Sequence, residues 1–204
     1  MADVLIDSQT APTTPSAGKA VLWVDSTTKK FIQTDDGGIH RGGTISKNQA
    51  VAQQTGFAAD TYLTGSNILI PSFGMQVGQL YQWQIGVQKT AAGTAAIAIA
   101  CRIGAAGAIG DTARLTLTQT VAQAATAAGS IFTVYFQVRS VSATGVIAGA
   151  FAPIGGSLAF GSGIQAASST FDNSALGGQF AGLSLNGGAS AAYTIDSCVG
   201  WLIS

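Results

Sequence analysis

Side chains able to do acid–base or nucleophilic chemistry are few in this 204-residue chain. It has one histidine, His40, nine aspartates, no glutamate, and two cysteines, Cys101 and Cys198. A Ser/His/Asp triad would have to recruit His40, which lies beside Gly42 and Gly43, far from any serine in a nucleophile elbow, and no GxSxG is present. Paired-carboxylate catalysis would have to be assembled from aspartates. Asp35 and Asp36 are adjacent, so they face opposite ways on a strand or form a solvated cap in a turn, while Asp60, Asp111, Asp172 and Asp196 are scattered. Asp35, Asp36 and Gly37 lack the spacing and terminal glutamate of a calcium loop, so turn formation explains them better. Gly161 and Gly163 have neither the lysine nor the following helix of a phosphate loop. The cysteines show no CxxC spacing and read as two buried thiols, with a disulfide as the alternative. The expectation is a chain with no catalytic residue, no metal site and no cofactor.

Charge points the same way. Only 9% of residues are charged and the net charge is zero, against about 25% charged in an ordinary soluble domain. Such a surface has no basic stripe to release counterions from phosphates, which argues against nucleic acid and against polybasic membrane binding. Two uncharged stretches, 140–171 and 173–195, raise the question of a membrane span. Both are too rich in glycine and serine, where a spanning helix needs about 20 predominantly apolar residues. Met1 to Thr10 carries Asp3 and Asp7 and shows no signal-peptide pattern, so synthesis in the cytoplasm is expected.

The elements that carry these residues divide by charge. Ten of the eighteen charged residues fall in the first 47 positions. Pro12, Pro15 and the Thr/Ser run between Ser8 and Ser16 predict an extended arm over residues 1–20. Ala20–Val24 and Lys30–Thr34 then read as a β-hairpin, with a linker, within residues 21–47. An isolated hairpin is marginal in water, so Trp23 and Phe31 should pack on the main domain or on neighbouring copies.

Residues 48–204 read as a succession of short strands. Tyr81, Trp83, Ile85 and Val87 share one face against Gln82, Gln84 and Gln88. The same alternation groups Ile97, Ile99, Cys101 and Ile103; Ala113, Leu115 and Leu117; and Phe132, Val134, Phe136 and Val138. Further strands are expected at 67–70, 146–152, 180–185 and 192–203, with Gln119–Ala128 a loop or a short helix. Arg102, Arg114 and Arg139 fall opposite the apolar positions. They are expected on a solvated or subunit-facing sheet surface, either simply exposed or paired with Asp111 or Asp196 across an interface. Eight or nine strands of this spacing predict an all-β fold, an antiparallel β-sandwich with jelly roll the topology favoured by count. The aromatic residues Tyr81, Trp83, Phe132 and Phe136 fall on the dry faces and read as core rather than as a sugar or base platform.

Two stretches carry a resemblance. AGKAVLWVDSTTKKFIQTDDGG, after the leader TAPTTPSAGK, resembles the N-terminal hairpin of tailed-bacteriophage structural proteins. From Asp60 the ordered series TYLTGSNILIP, MQVGQLYQWQIGVQKTAAGTAA, GDTARLTLT, VRSVSATGVIAG and STFDNS is similar to the jelly-roll-type domain of phage virion proteins, found in head decoration, fibre and tail-associated components. The resemblance implies a non-enzymatic virion component, made in the host cytoplasm and self-associating as a homotrimer. Its arm and hairpin would grip the particle through the major capsid protein or another virion protein. The leading expectation is a capsid decoration or cement protein whose many weak contacts stabilise the shell. The alternative is a tail-fibre or spike module that binds a host surface glycan or protein. The candidate contact residues are Val4, Leu5 and Ile6, an apolar triplet in a polar arm, together with Trp23 and Phe31.

Overall fold

The computed structural model describes residues 8–9, 16, 21–25, 31–34, 40–41, 47–50, 53–89, 97–119, 126–156, 164–188 and 193–203. The chain divides into two compact units, Met1–Ile45 and Ser46–Ser204. Among the described residues there is no helix, and hence none long and apolar enough to cross a membrane.

In the first unit, β1 (Ser8–Gln9), β2 (Val21–Asp25), β3 (Phe31–Thr34) and β4 (His40–Arg41) form one sheet in chain order. β2 and β3 form the expected hairpin, with Val24 opposite Phe31 and Val21 opposite Thr34. β4 extends it antiparallel, Thr34 opposite His40, while β1 joins the other edge parallel to β2. Ser8 and Gln9 within the expected arm are thus an edge strand.

The second unit is an antiparallel sandwich. One sheet has the order β13-β12-β11-β8-β15-β5, built from Ile164–Ala167, Val146–Gly156, Thr126–Ser140, Leu80–Lys89, Tyr193–Ile203 and Lys47–Ala50. The other has the order β10-β9-β14-β6, built from Thr112–Thr118, Ala98–Gly104, Phe180–Asn186 and Thr61–Tyr62, and β7 (Ile68–Leu69) also pairs with β14. Along the chain, β5, β8, β11 and β15 in the first sheet alternate with β6 and β7, β9 and β10, and β14 in the second. The order β5-β15-β8-β11 therefore matches β6-β14-β9-β10 position for position, each strand corresponding to its neighbour in sequence. This is the double Greek key of a jelly roll, and β12 and β13 widen one of its sheets.

Alternation of apolar side chains explains why these segments form these strands. Tyr81, Trp83, Ile85 and Val87 are buried, as are Phe132, Val134, Phe136 and Val138 on the neighbouring strand. Tyr81 stacks on Phe136 with ring centroids 4.6 Å apart, and Phe132 meets Phe151 at 5.1 Å. Such pairs contribute about 0.5–1.5 kcal/mol beyond the area they bury. Ile97, Ile99, Cys101 and Ile103 close the core from the opposite sheet. Two glycines of the larger sheet leave room for neighbouring side chains. A Cβ on Gly149 of β12 would lie 2.6 Å from Leu115 Cδ2 of β10, and one on Gly200 of β15 would lie 2.6 Å from the Trp83 ring and 3.2 Å from Ile68 Cδ1.

Several local expectations are corrected. Ala113 is exposed instead of sharing a face with Leu115 and Leu117, because a bulge between Ala113 and Leu115 resets the alternation. The bulged residue, Arg114, lies over the Phe171 ring, 4.5 Å from its centroid. Thr126–Ala128, within the segment expected as loop or helix, belong to strand β11. Cys101 and Cys198 are free thiols, so the disulfide alternative falls.

Candidate functional site

On the smaller sheet of the jelly roll, Arg102 forms the densest polar cluster. Its Nε donates to Ser184 Oγ at 2.7 Å, its Nη1 to the carbonyls of Asp111 at 2.6 Å and Ile109 at 3.0 Å, and its Nη2 to Asp60 Oδ2 in an ion pair. Arg102 is therefore neither a simply exposed arginine nor paired across an interface. Its charged partner is Asp60 of the same chain, and Asp111 meets it through a backbone carbonyl. The Asp111 carboxylate turns the other way. It accepts from the amides of Ala106 at 3.1 Å and Ala108 at 3.2 Å, which folds the 105–110 turn over β9. Arg139 is exposed.

Beside this cluster lies an open depression of about 510 Å³ lined by Asp60, Thr61, Tyr62, Thr64, Gly107, Ala108 and Ile109. Burial holds the Tyr62 hydroxyl above its ordinary pKa, so it stays protonated. Asp60 already carries the Arg102 charge. The Tyr62 hydroxyl is itself buried against β14, so the depression offers threonine hydroxyls and a carboxylate paired with Arg102, a surface suited to hydrogen bonding rather than proton transfer. The thiols are no better placed as nucleophiles, since burial pushes both Cys101 and Cys198 up to about 12. Among the described residues no group of three or more His, Cys, Asp or Glu side chains is placed to hold a metal ion.

The larger sheet presents a different surface on its outer face. Period two that buries Val134 and Phe136 turns Tyr135 outward, and the same alternation on β15 buries Cys198 and Leu202 and turns Val199 and Trp201 outward. In register, Tyr135 stands opposite Gln82 on one side of β8, and Trp201 stands opposite Gln82 on the other. Both rings are half-buried. The sequence reading passed over these two aromatics, although the alternation that assigned Tyr81 and Trp83 inward is the signal that assigns Tyr135 outward.

The expected contact residues fall as follows. Val4, Leu5 and Ile6 lie outside the described residues, as do Asp35 and Asp36. Trp23, in β2, is buried at 2% exposure. Phe31 opens β3 opposite Val24.

No protein-family model and no curated protein sequence matches the chain. Among solved structures, peanut lectin with a 9-mer peptide is similar over 78% of this chain and 98% of that chain, at 10% identity and a TM-score of 0.32. A likeness that loose carries no argument about ligand or activity.

Proposed function

We propose that this chain is a structural protein of a tailed-bacteriophage virion, a decoration or cement protein that binds the head surface and stabilises the shell without catalysis. The observation that carries this reading is the order of its modules. A small N-terminal β unit built on the hairpin of β2 and β3 precedes a jelly-roll unit, Ser46–Ser204, and this is the arrangement that the sequence resemblance implies for such proteins. A rigid sandwich with few charges suits repeated contact with neighbouring subunits, where many weak bonds add through multivalency.

The test is co-sedimentation of the purified protein with phage heads that lack it and, separately, with host cells. Saturable binding to heads, lost on deleting residues 1–20, is the expected result. Binding to cells but not to heads would replace this reading with a receptor-binding module.

A further inference from the structure

The side-chain groups left free in the depression beside Arg102 are mostly acceptors. Of the Asp60 carboxylate only Oδ2 is engaged, by Arg102, and Oδ1 makes no hydrogen bond among the described residues. The Asp60 side chain is 36% exposed against 13% for Arg102, so Asp60 is the member of the pair that a ligand can reach. Thr61 Oγ1 gives its one proton to the carbonyl of Ala59 at 3.0 Å or of Gly56 at 3.3 Å, which leaves it only lone pairs to offer. Thr64 uses its amide, towards Gln54 Oε1, and its hydroxyl stays free to accept or to donate.

Charge is unbalanced here as well. Arg102 supplies one positive charge beside two carboxylates, and that of Asp111 lies one hydrogen bond behind the wall of the depression, accepting from the Ala108 amide at 3.2 Å. Burial is the main cause of the raised Tyr62 pKa, and Asp111 raises it further by more than Arg102 lowers it, so negative charge outweighs positive at this lining residue. The same depression is flanked by Ala108 and by Ile109, whose side chain is 44% exposed.

We propose that this depression receives a lysine side chain of a partner protein. An ammonium group donates in three directions and accepts in none, which suits Asp60 Oδ1 and Thr61 Oγ1, and its single charge balances the excess left by Asp60, Asp111 and Arg102. The lysine stem covers apolar surface while its head keeps to polar groups, and Ala108 with Ile109 gives the stem that surface. Arginine fits less well, because its planar fork is best met by both oxygens of a carboxylate and Asp60 Oδ2 is already held by Arg102. A neutral sugar would satisfy the acceptors and leave the charge unmatched. A single contact of this kind is weak, being part-exposed and screened by salt, and it counts where many copies present it together. The inference names the group bound and not the particle that carries it, so it stands whether or not the head-binding reading does.

The experiment is an NMR titration of the isotope-labelled full chain with Nα-acetyl-lysine methylamide and, separately, with the same molecule acetylated at Nε, following the amides of Thr61, Thr64 and residues 107–109. The charged probe is expected to shift these amides saturably, and the acetylated probe to bind at least ~10-fold more weakly, because a charge-assisted bond is worth about that ratio. Raising the salt from about 0.05 to 0.5 M should weaken the charged probe and leave the neutral one unmoved. Asp60→Asn should cost about the same tenfold, with circular dichroism checking the fold. Ile109→Lys provides a second variant at an exposed side chain, and it leaves the backbone bond from Arg102 in place. It sets the protein's own ammonium at the rim and should abolish binding of the probe. No shift at these amides, or an Ile109→Lys chain that binds as the native one does, would overturn the proposal. So would an equal response to the two probes, which would assign the depression to a neutral hydrogen-bonding ligand.

Discussion

The indole Nε1 of Trp83 donates to the backbone carbonyl of Ser66 at 2.6 Å, and that bond ties the two sheets of the jelly roll together. Ser66 sits between β6 and β7, and its hydroxyl is held by the main chain of Leu183 in β14, whose amide donates to Ser66 Oγ at 3.0 Å. One buried serine therefore connects a core tryptophan of the larger sheet to the backbone of the smaller one.

Replacing Ser66 with alanine leaves the Leu183 amide buried without that partner. The expected cost is about 1–3 kcal/mol, the desolvation penalty of an unmade bond. Urea denaturation should show a lower midpoint with an unchanged slope, and an unaltered midpoint would show that the bridge contributes nothing.

Gly200→Ala tests the packing of the Trp83 ring and Ile68 against β15. The added carbon would meet the Trp83 ring at 2.6 Å and Ile68 at 3.2 Å, neither of which can swing away from a packed core. Overpacking of this kind costs about 1–3 kcal/mol. Gly155→Ala, where nothing lies within 4 Å of the added carbon, is the control and should leave thermal stability nearly unchanged.

Arg102→Leu removes all four donations that hold Asp60, Ser184 and the 105–110 turn. A loss of about 3 kcal/mol is expected, since bonds to a charged, largely buried donor are strong and its removal strands Asp60. Arg102→Lys should recover only part, because one ammonium cannot reproduce the planar fork. Hydrogen exchange should reveal faster opening of the 105–110 turn in both variants. Unchanged exchange there would remove Arg102 from its role as a tie.

Alkaline conditions should destabilise the fold. Burial raises the Cys101 and Cys198 thiols from 9.0 to about 12, so above pH 9 the unfolded chain releases protons that the folded chain keeps. Their contribution is whole below pH 9 and is lost as pH climbs towards 12, at about 1.4 kcal/mol per unit for each thiol. Tyr193, raised to about 12, adds to the loss above pH 10. Urea midpoints measured from pH 8 to 11 should fall accordingly, and the native thiols should resist alkylation at pH 8 while the unfolded ones react.

What the sequence made legible follows the strength of its periodicity. Leu80–Lys89 alternates without interruption, and its inward residues were readable from pattern alone. β5, β6 and β13 are two to four residues long, too short for a period of two to register. The bulge at Arg114 was invisible because one extra residue changes which side every later residue faces without changing composition. The Arg102 cluster was unreadable for another reason. Asp60 and Ser184 stand 42 and 82 positions from it, and only the pairing of β6, β14 and β9 brings them together. Tyr135 and Trp201 were legible singly as outward residues, but their placement on either side of Gln82 depends on which strands neighbour β8.

β15 lies between β8 and β5, with Trp201 opposite both Gln82 and Lys47. During synthesis, the slot between those two strands stays open until Tyr193–Ile203 has left the ribosome, so the sheet has to close after most of the domain has emerged. Pairing of that sequence separation makes closure slow and leaves the flanks of β8 and β5 exposed to wrong partners in the interval. At high expression the yield of soluble protein should therefore be governed by how fast this final strand inserts rather than by the stability of the finished fold.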